Sequence, residues 1–238
     1  MARPLRVDFP GATHHIFVRG VERSTIARDS ADYEHALDLL ERATSRFELR
    51  CHAWCYLPNH SHLLVTSTLG NLSDAMHWMG TCAAQRFNHR YERVGHLYQG
   101  RFGSRLVSDD NYLLELARYV PLNPVRAGLC GSPEEWEWSS YAATVGLRSR
   151  PLFLDAAVFG ALLGSDTAYL DWVTETPESS FLDDRGIPRP PVATPLEELL
   201  RDDSLQAIAI AHFQHGHSKA AIARHLRVSP KQIARRLQ

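Results

Sequence analysis

Apolar and polar positions along the first half of the chain repeat with two different periods, and the order of those periods predicts a fold. From His14 to Arg19 ("HHIFVR") a short apolar run reads as a strand, and Ala31 to Phe47 spaces its apolar residues as a helix does. "ELRCHAWCYL" (Glu48 to Leu57) and "HSHLLVTS" (His60 to Ser67) read as two strands joined by a tight turn at Pro58-Asn59, hence a hairpin. The next helix begins at Asn71, with Asn71 or Ser73 as its cap, and carries Leu72, Met76, Met79, Ala83 and Phe87 at three-to-four spacing. "SRLVS" (Ser104 to Ser108) is a further strand, and Asp109-Asp110 can cap a helix through "NYLLELARYV". The order β-α-β-β-α-β-α predicts an α+β domain: a ferredoxin-like, split βαβ antiparallel sheet with helices on one face.

Beyond Gly128, "PEEWEWSSYAA" and the stretch Leu152 to Trp172 are apolar enough to pack as short helices on that domain. "GIPRPPVATP" (Gly186 to Pro195) reads as a linker, because repeated prolines remove donors and fix φ. Three short amphipathic pieces follow between Pro195 and Gln238, and the last opens with Ser229-Pro230 after a three-residue break. That is the pattern of a helix-turn-helix. The expected division is 1–146, 147–194 and 195–238.

Composition narrows the class. With 44% hydrophobic and 22% charged residues in 238, the chain can bury a core, and no apolar run approaches the ~20 residues of a membrane helix. Its start has no apolar export segment, so a cytoplasmic address is the expectation. Cys51, Cys55, Cys82 and Cys130 do not form a disulfide framework and read as buried thiols. The net charge of −1 conceals a polarised distribution: 166–203 holds ten acids against three arginines, while 204–238 holds six Lys/Arg and no acid.

Residues at i and i+2 on a strand share a face, so His60 and His62 project together and Ser61 points away. Such a pair suits a metal ion, yet two buried histidines satisfied by their neighbours would leave the same pattern. A third ligand and a reacting group are wanted. "RYVPLNPVRAGL" supplies Tyr119 and Asn123, i and i+4 if the helix continues, although a helix-end tyrosine and an Asn-Pro turn explain them too. Pro121 removes a donor and disfavours α geometry at Val120, which predicts a kinked or interrupted helix there. A zinc hydrolase built on Cys51, Cys55, His60 and His62 is disfavoured, since Cys51 and Cys55 lie ~13 Å apart along a regular strand.

Between Arg86 and Arg126, seven arginines face four acids and are interleaved with Phe87, Tyr91, Tyr98 and Phe102. Guanidinium groups with aromatic faces suit single-stranded nucleic acid, and a solvated basic surface over core aromatics is the alternative. Arg101 and Arg105 are the expected backbone contacts, with Arg86, Arg118 and Arg126 in the same set. In the C-terminal piece, Lys231, Gln232, Arg235 and Arg236 are placed for a groove.

"MARPLRVDFPGA", "PNHSHLL", "GHLYQGRF", "YLLELARYV", "LNPVRAGL" and "WEWSSY" occur in one order over about Met1 to Gly146. Together they resemble the single-tyrosine transposases of the HUH class, specifically the bacterial type associated with repetitive extragenic palindromes. The resemblance implies that His60 and His62 are metal ligands, that Asn123 completes the site for Mg2+ or Mn2+, and that Tyr119 is the nucleophile. It further implies cleavage and rejoining of single-stranded DNA beside hairpins through a 5′-phosphotyrosine link. A homodimer is compatible with this. The residue between the histidines is usually bulky or apolar in the family, and here it is Ser61. A transposase-derived protein that binds DNA without cutting is the alternative reading. The C-terminal module lies outside the resemblance.

Overall fold

The computed structural model describes residues 7–107, 109–174, 195–200, 204–211, 217 and 219–237, and the chain forms two compact units. One unit spans 10–176; the other combines 1–9 with 177–238. Residues 186–194 of the expected linker lie outside the described residues.

The larger unit carries four strands, β1 (Ala12–Arg19), β2 (Leu49–Tyr56), β3 (His60–Ser67) and β4 (Gly103–Leu106), in the order β2-β3-β1-β4, every pair antiparallel. Helix α1 (Ser30–Arg46) links β1 to β2, α2 (Leu72–Arg90) links β3 to β4, and α3 (Asp110–Arg126) follows β4. This is the mixed, ferredoxin-like antiparallel sheet the periodicities predict, except that helices cover both of its faces rather than one, because Tyr119 of α3 packs on the His62 side. Asp29 and Asp109 start α1 and α3 by accepting the backbone N–H of Asp32 and Tyr112. Asn71 occupies the cap position of α2 without a side-chain hydrogen bond.

Period two divides the sheet into faces. Tyr56, paired with Ser61, donates its hydroxyl to the Ala36 carbonyl of α1, so that face lies under α1 and α2. Across β1 and β3, Phe17 opposes His62 and Arg19 opposes His60, which places His15, Phe17, Arg19, His60 and His62 on the other face. Helix α3 lies over this second face, its Tyr119 ring against His62. Gly103 opposes Phe17 in β4, and a Cβ there would sit 2.1 Å from the Phe17 ring, so only glycine lets the ring lie across the strand.

The edge strand β2 is covered by the segment that reads as apolar helices in sequence. Tyr56 N–H donates to the Trp138 carbonyl, Ser140 N–H donates to the Trp54 carbonyl, and Trp136 Nε1 donates to the Tyr56 carbonyl at 2.9 Å. "WEWSSY" thus occupies hydrogen-bonding positions that an open edge would present to another chain. A bulge between Cys51 and Ala53 lets Asp155 N–H reach the Cys51 carbonyl. Short helices α4 (Tyr141–Thr144), α5 (Ala157–Leu163) and α6 (Asp166–Thr174) complete the unit.

In the smaller unit, α7 (Leu196–Leu199), α8 (Leu205–Ala209), α9 (Lys219–His225) and α10 (Pro230–Arg236) gather Leu200, Ile208, Ala211, Ile222, Ala223 and Ile233 into a core. Ser229 caps α10 through a reciprocal box with Gln232, and Pro230 takes the first helical position. No helix among the described residues is long and apolar enough to cross a membrane.

Candidate metal and nucleophile site

The decisive local question is whether α3 survives Pro121. It does: the helix runs without interruption from Asp110 to Arg126 with both Pro121 and Pro124 inside it. The expected break is therefore corrected, and the reason lies in replaced donors. A residue at 121 would normally donate to the carbonyl of Ala117; that carbonyl accepts the Tyr169 hydroxyl of α6 at 2.8 Å. A residue at 124 would serve Val120, whose carbonyl accepts from Asn123 Nδ2 at 3.3 Å. Each proline-orphaned acceptor has a side-chain donor.

With the helix intact, Tyr119 and Asn123 fall one turn apart. The Tyr119 ring stands edge-on to His62, centroids 5.2 Å apart, and to His15 at 5.9 Å. The sequence-predicted His60, His62 and Tyr119 are thus brought together, with His60 and His62 rings 5.1 Å apart and almost perpendicular, and Asn123 lies one turn along α3 from Tyr119. Asn123 Nδ2 also donates to the Tyr119 carbonyl at 2.8 Å, which holds the amide beside the tyrosine.

Burial dominates the electrostatics. It lowers His60 to about 4, helped by the Arg19 charge, and drives His62 well below the ordinary histidine range, with His15, His60 and Arg19 acting in the same direction. Both imidazoles are therefore neutral at neutral pH, the form that ligates a metal. Burial also pushes the Tyr119 phenol up to about 12, opposed by the Arg126 charge, the Asn123 amide and Arg19. The Arg126 guanidinium lies 5.3 Å from the Tyr119 ring centre.

The residues fit a hard divalent cation. His62 Nε2 is buried with no partner, a second imidazole lies beside it, and the Asn123 amide is carried on the same helix as Tyr119. Among the described residues no three His, Cys, Asp or Glu side chains gather as a metal cluster, so the candidate set depends on Asn123. Cys51 and Cys55 are buried, and burial pushes both thiols up, away from the thiolate that zinc requires.

The arginines separate into groups. Arg105 opposes His15 in β4 and Arg126 lies over Tyr119, both on the site face; Arg101 is exposed just before β4. Arg118 is held by Glu115 at 2.5 Å and lies 4.6 Å from the Trp172 ring centre. Arg86 is on the opposite face, paired with buried Asp32 at 3.2 Å and donating to the Ala31 carbonyl. Arg90 and the Tyr91 hydroxyl join the same carboxylate, and Phe87 is buried against Tyr91, so this half of the basic and aromatic run serves packing. In the smaller unit Lys231, Arg235 and Arg236 are exposed, whereas Gln232 spends its side-chain oxygen on the Ser229 N–H.

Two site-face residues escape a reading of the sequence alone: His15 and Arg19. The alternation in "HHIFVR" puts His15 and Arg19 on one face, but only the register of β1 on β3 shows that it is the face of His60 and His62.

Comparison with curated proteins finds no match. Among solved structures, a REP-associated tyrosine transposase bound to a REP hairpin matches with a TM-score of 0.53 at 20% identity, covering 66% of this chain and 93% of that one. It shares the fold. A chain solved as a transposase candidate from Deinococcus radiodurans matches at 16% identity with a TM-score of 0.37, covering 50% of this chain and 95% of that one. The family model described as "Transposase IS200 like" matches residues 9–123, from the start of β1 through Asn123. Over those residues, which include every described strand and the whole candidate site, the chain is similar to the IS200-like transposase family.

Proposed function

We propose that this chain is a metal-dependent DNA transposase that cleaves and rejoins single-stranded DNA beside hairpins, with Tyr119 as nucleophile. The observation that carries the reading is the meeting of Tyr119 with His62, ring centres 5.2 Å apart, on a helix that presents Asn123 one turn on. The hairpin substrate is suggested by the REP hairpin held by the structural neighbour.

In the proposed step the Tyr119 oxygen attacks a backbone phosphorus and loses its proton to solvent. The phosphorus–O3′ bond breaks, and its electron pair, with a proton from solvent, leaves a free 3′-hydroxyl and a 5′-phosphotyrosine link. Attack by a DNA 3′-hydroxyl reverses the sequence and rejoins strands without external energy. His60, His62 and Asn123 would hold Mg2+ or Mn2+, which when bound supplies Lewis-acid polarisation of the scissile phosphate. Arg126 favours the phenolate through its charge, and Arg19 and Arg105 add cations on the same face. Residues 1–146 form the catalytic part in this reading. Residues 147–194 form an extension, and 195–238 a basic helix-turn-helix that docks duplex DNA through Lys231, Gln232, Arg235 and Arg236.

Labelled hairpin single strands incubated with the full chain and Mn2+ or Mg2+ test this. A covalent adduct that disappears in Tyr119→Phe supports it. Tight binding without adduct across a broad hairpin panel overturns it in favour of a DNA-binding protein that no longer cuts. That second reading draws on the burial of Tyr119, 3% exposed, since a nucleophile must reach a phosphate.

A further inference from the structure

The two candidate imidazoles are each gripped at Nδ1 by a side chain to which neither the fold nor the proposed chemistry has so far assigned a task. His60 Nδ1 lies 2.6 Å from Asn59 Oδ1, and His62 Nδ1 lies 3.0 Å from His15 Nε2. A neutral imidazole has one N–H and one lone pair, so whatever Nδ1 does decides what Nε2 can do.

At His60 the choice is forced. The Asn59 amide nitrogen donates to the Arg23 carbonyl at 3.3 Å, which orients the amide with its oxygen toward His60. An oxygen accepts only, so His60 carries its proton on Nδ1 and its Nε2 lone pair is free. At His62 the hydrogen bond alone permits two arrangements. If His15 Nε2 donates, His62 keeps a proton on Nε2, and that buried nitrogen becomes a donor with no acceptor. If His62 Nδ1 donates instead, the unmatched N–H moves to His15 Nδ1, which is also buried without a partner, and His62 Nε2 presents a lone pair on the face shared with His60 and Tyr119; only this second arrangement lets His62 ligate a cation. His15 is fully buried and stacked on His62, ring centres 5.1 Å apart with planes 15° from parallel, so its grip is rigid. The register holds it there: His15 and Phe17 alternate on β1, and Phe17 is the residue directly across from His62.

We propose that Asn59 and His15 are positioning residues that set His60 and His62, respectively, in the Nδ1–H form, so that both Nε2 lone pairs are directed to one divalent cation. This rests on the metal-site reading above and identifies what tunes that site. Partners of this kind fix the tautomer and ring orientation of a ligating histidine, and their loss typically weakens metal binding about 10–100-fold.

Two readouts on the full-length protein separate this inference from the metal reading. Long-range proton–nitrogen correlation spectra of the metal-free protein, assigned with His60→Gln and His62→Gln, should show both histidines protonated at Nδ1. His62 found protonated at Nε2 overturns the role of His15, and His60 found so overturns that of Asn59, whatever the metal does. Mn2+ affinity, followed by the paramagnetic resonance of free Mn2+, should fall roughly 10–100-fold in Asn59→Leu and in His15→Phe. His15→Gln, which retains an acceptor, should recover part of the loss at unchanged circular dichroism. Unchanged Mn2+ affinity in both Asn59→Leu and His15→Phe overturns the inference while leaving the metal site standing. A wild-type protein that takes up no Mn2+ overturns the metal reading and the inference with it.

Discussion

The Tyr169 hydroxyl donates to the Ala117 carbonyl at 2.8 Å, filling the place of the donor that Pro121 lacks. The helix that presents Tyr119 is therefore completed by a residue of α6, outside the segment 9–123 that matches the family. Tyr169→Phe keeps the ring stacked on Phe159 but leaves a buried acceptor unsatisfied, which costs about 1–3 kcal/mol. Thermal melts followed by tryptophan fluorescence should show a loss of roughly 2–4 °C per kcal/mol for a unit of this size. An unchanged melting temperature would mean that α3 does not depend on this bond.

Asp32 makes a different use of arginine. Its carboxylate is buried and receives Arg86, Arg90 and the Tyr91 hydroxyl, a set whose loss would strand a charge inside the protein. Asp32→Ala removes that carboxylate and leaves the Tyr91 hydroxyl and two arginines, each about a third exposed, without it, which should cost about 1–3 kcal/mol in urea unfolding. Arg86→Ala should accordingly lower stability with little change in DNA affinity. Arg101→Ala should leave stability alone and reduce the slope of affinity against salt by about 0.7 for a single-stranded ligand. An Arg86→Ala variant with native stability and a flattened salt dependence would return Arg86 to the DNA surface.

Legibility in the sequence follows the range of the interactions. The hairpin at Pro58-Asn59 and the shared face of His60 and His62 are local: turn chemistry and period two suffice, and β3 runs from His60 to Ser67 as its pattern predicts. Helix α3 is not legible because its obstacle is local and its remedy is not. Pro121 is visible, whereas the donor that replaces it comes from 52 residues beyond Ala117. The same holds for Arg86, whose charge reads as a DNA contact until α1 brings Asp32 against it. "WEWSSY" reads as a short helix by its apolar content; its hydrogen bonds go instead to an edge strand some eighty residues earlier, with Trp136 to Tyr56 separated by 80.

His52 gives the larger unit an acid sensitivity that belongs to its core. It sits at the β2 bulge, donating from Nδ1 to the Asp155 carbonyl at 2.7 Å and accepting at Nε2 from the Thr66 hydroxyl at 2.7 Å. Burial lowers its pKa below the ordinary histidine value. The unfolded chain therefore binds the proton more readily than the folded one. The stabilisation is fully present above about pH 6.5 and is lost as pH falls through the folded value, at up to about 1.4 kcal/mol per pH unit. Melting temperature should drop between about pH 7.5 and pH 5, and His52→Gln should show a shallower drop. Parallel curves for the two proteins would remove His52 from the linkage.

Tyr119 carries the opposite pH signature in activity. Burial raises its phenol to about 12 while Arg126, 5.3 Å from the ring centre, favours the phenolate. At neutral pH the phenol predominates, and the phenolate fraction grows about tenfold per pH unit below the pKa. Single-turnover adduct formation with hairpin DNA should thus rise with pH between about pH 7 and pH 9, a range in which His60, lowered to about 4, stays neutral and contributes no slope. Arg126→Gln removes the favourable charge and should displace the whole profile toward higher pH, slowing the reaction roughly tenfold at a given pH for each unit of displacement. A profile flat over that range, with the adduct still dependent on Tyr119, would place the proton transfer outside the limiting step. An unshifted Arg126→Gln profile would show that the guanidinium serves the DNA rather than the phenol.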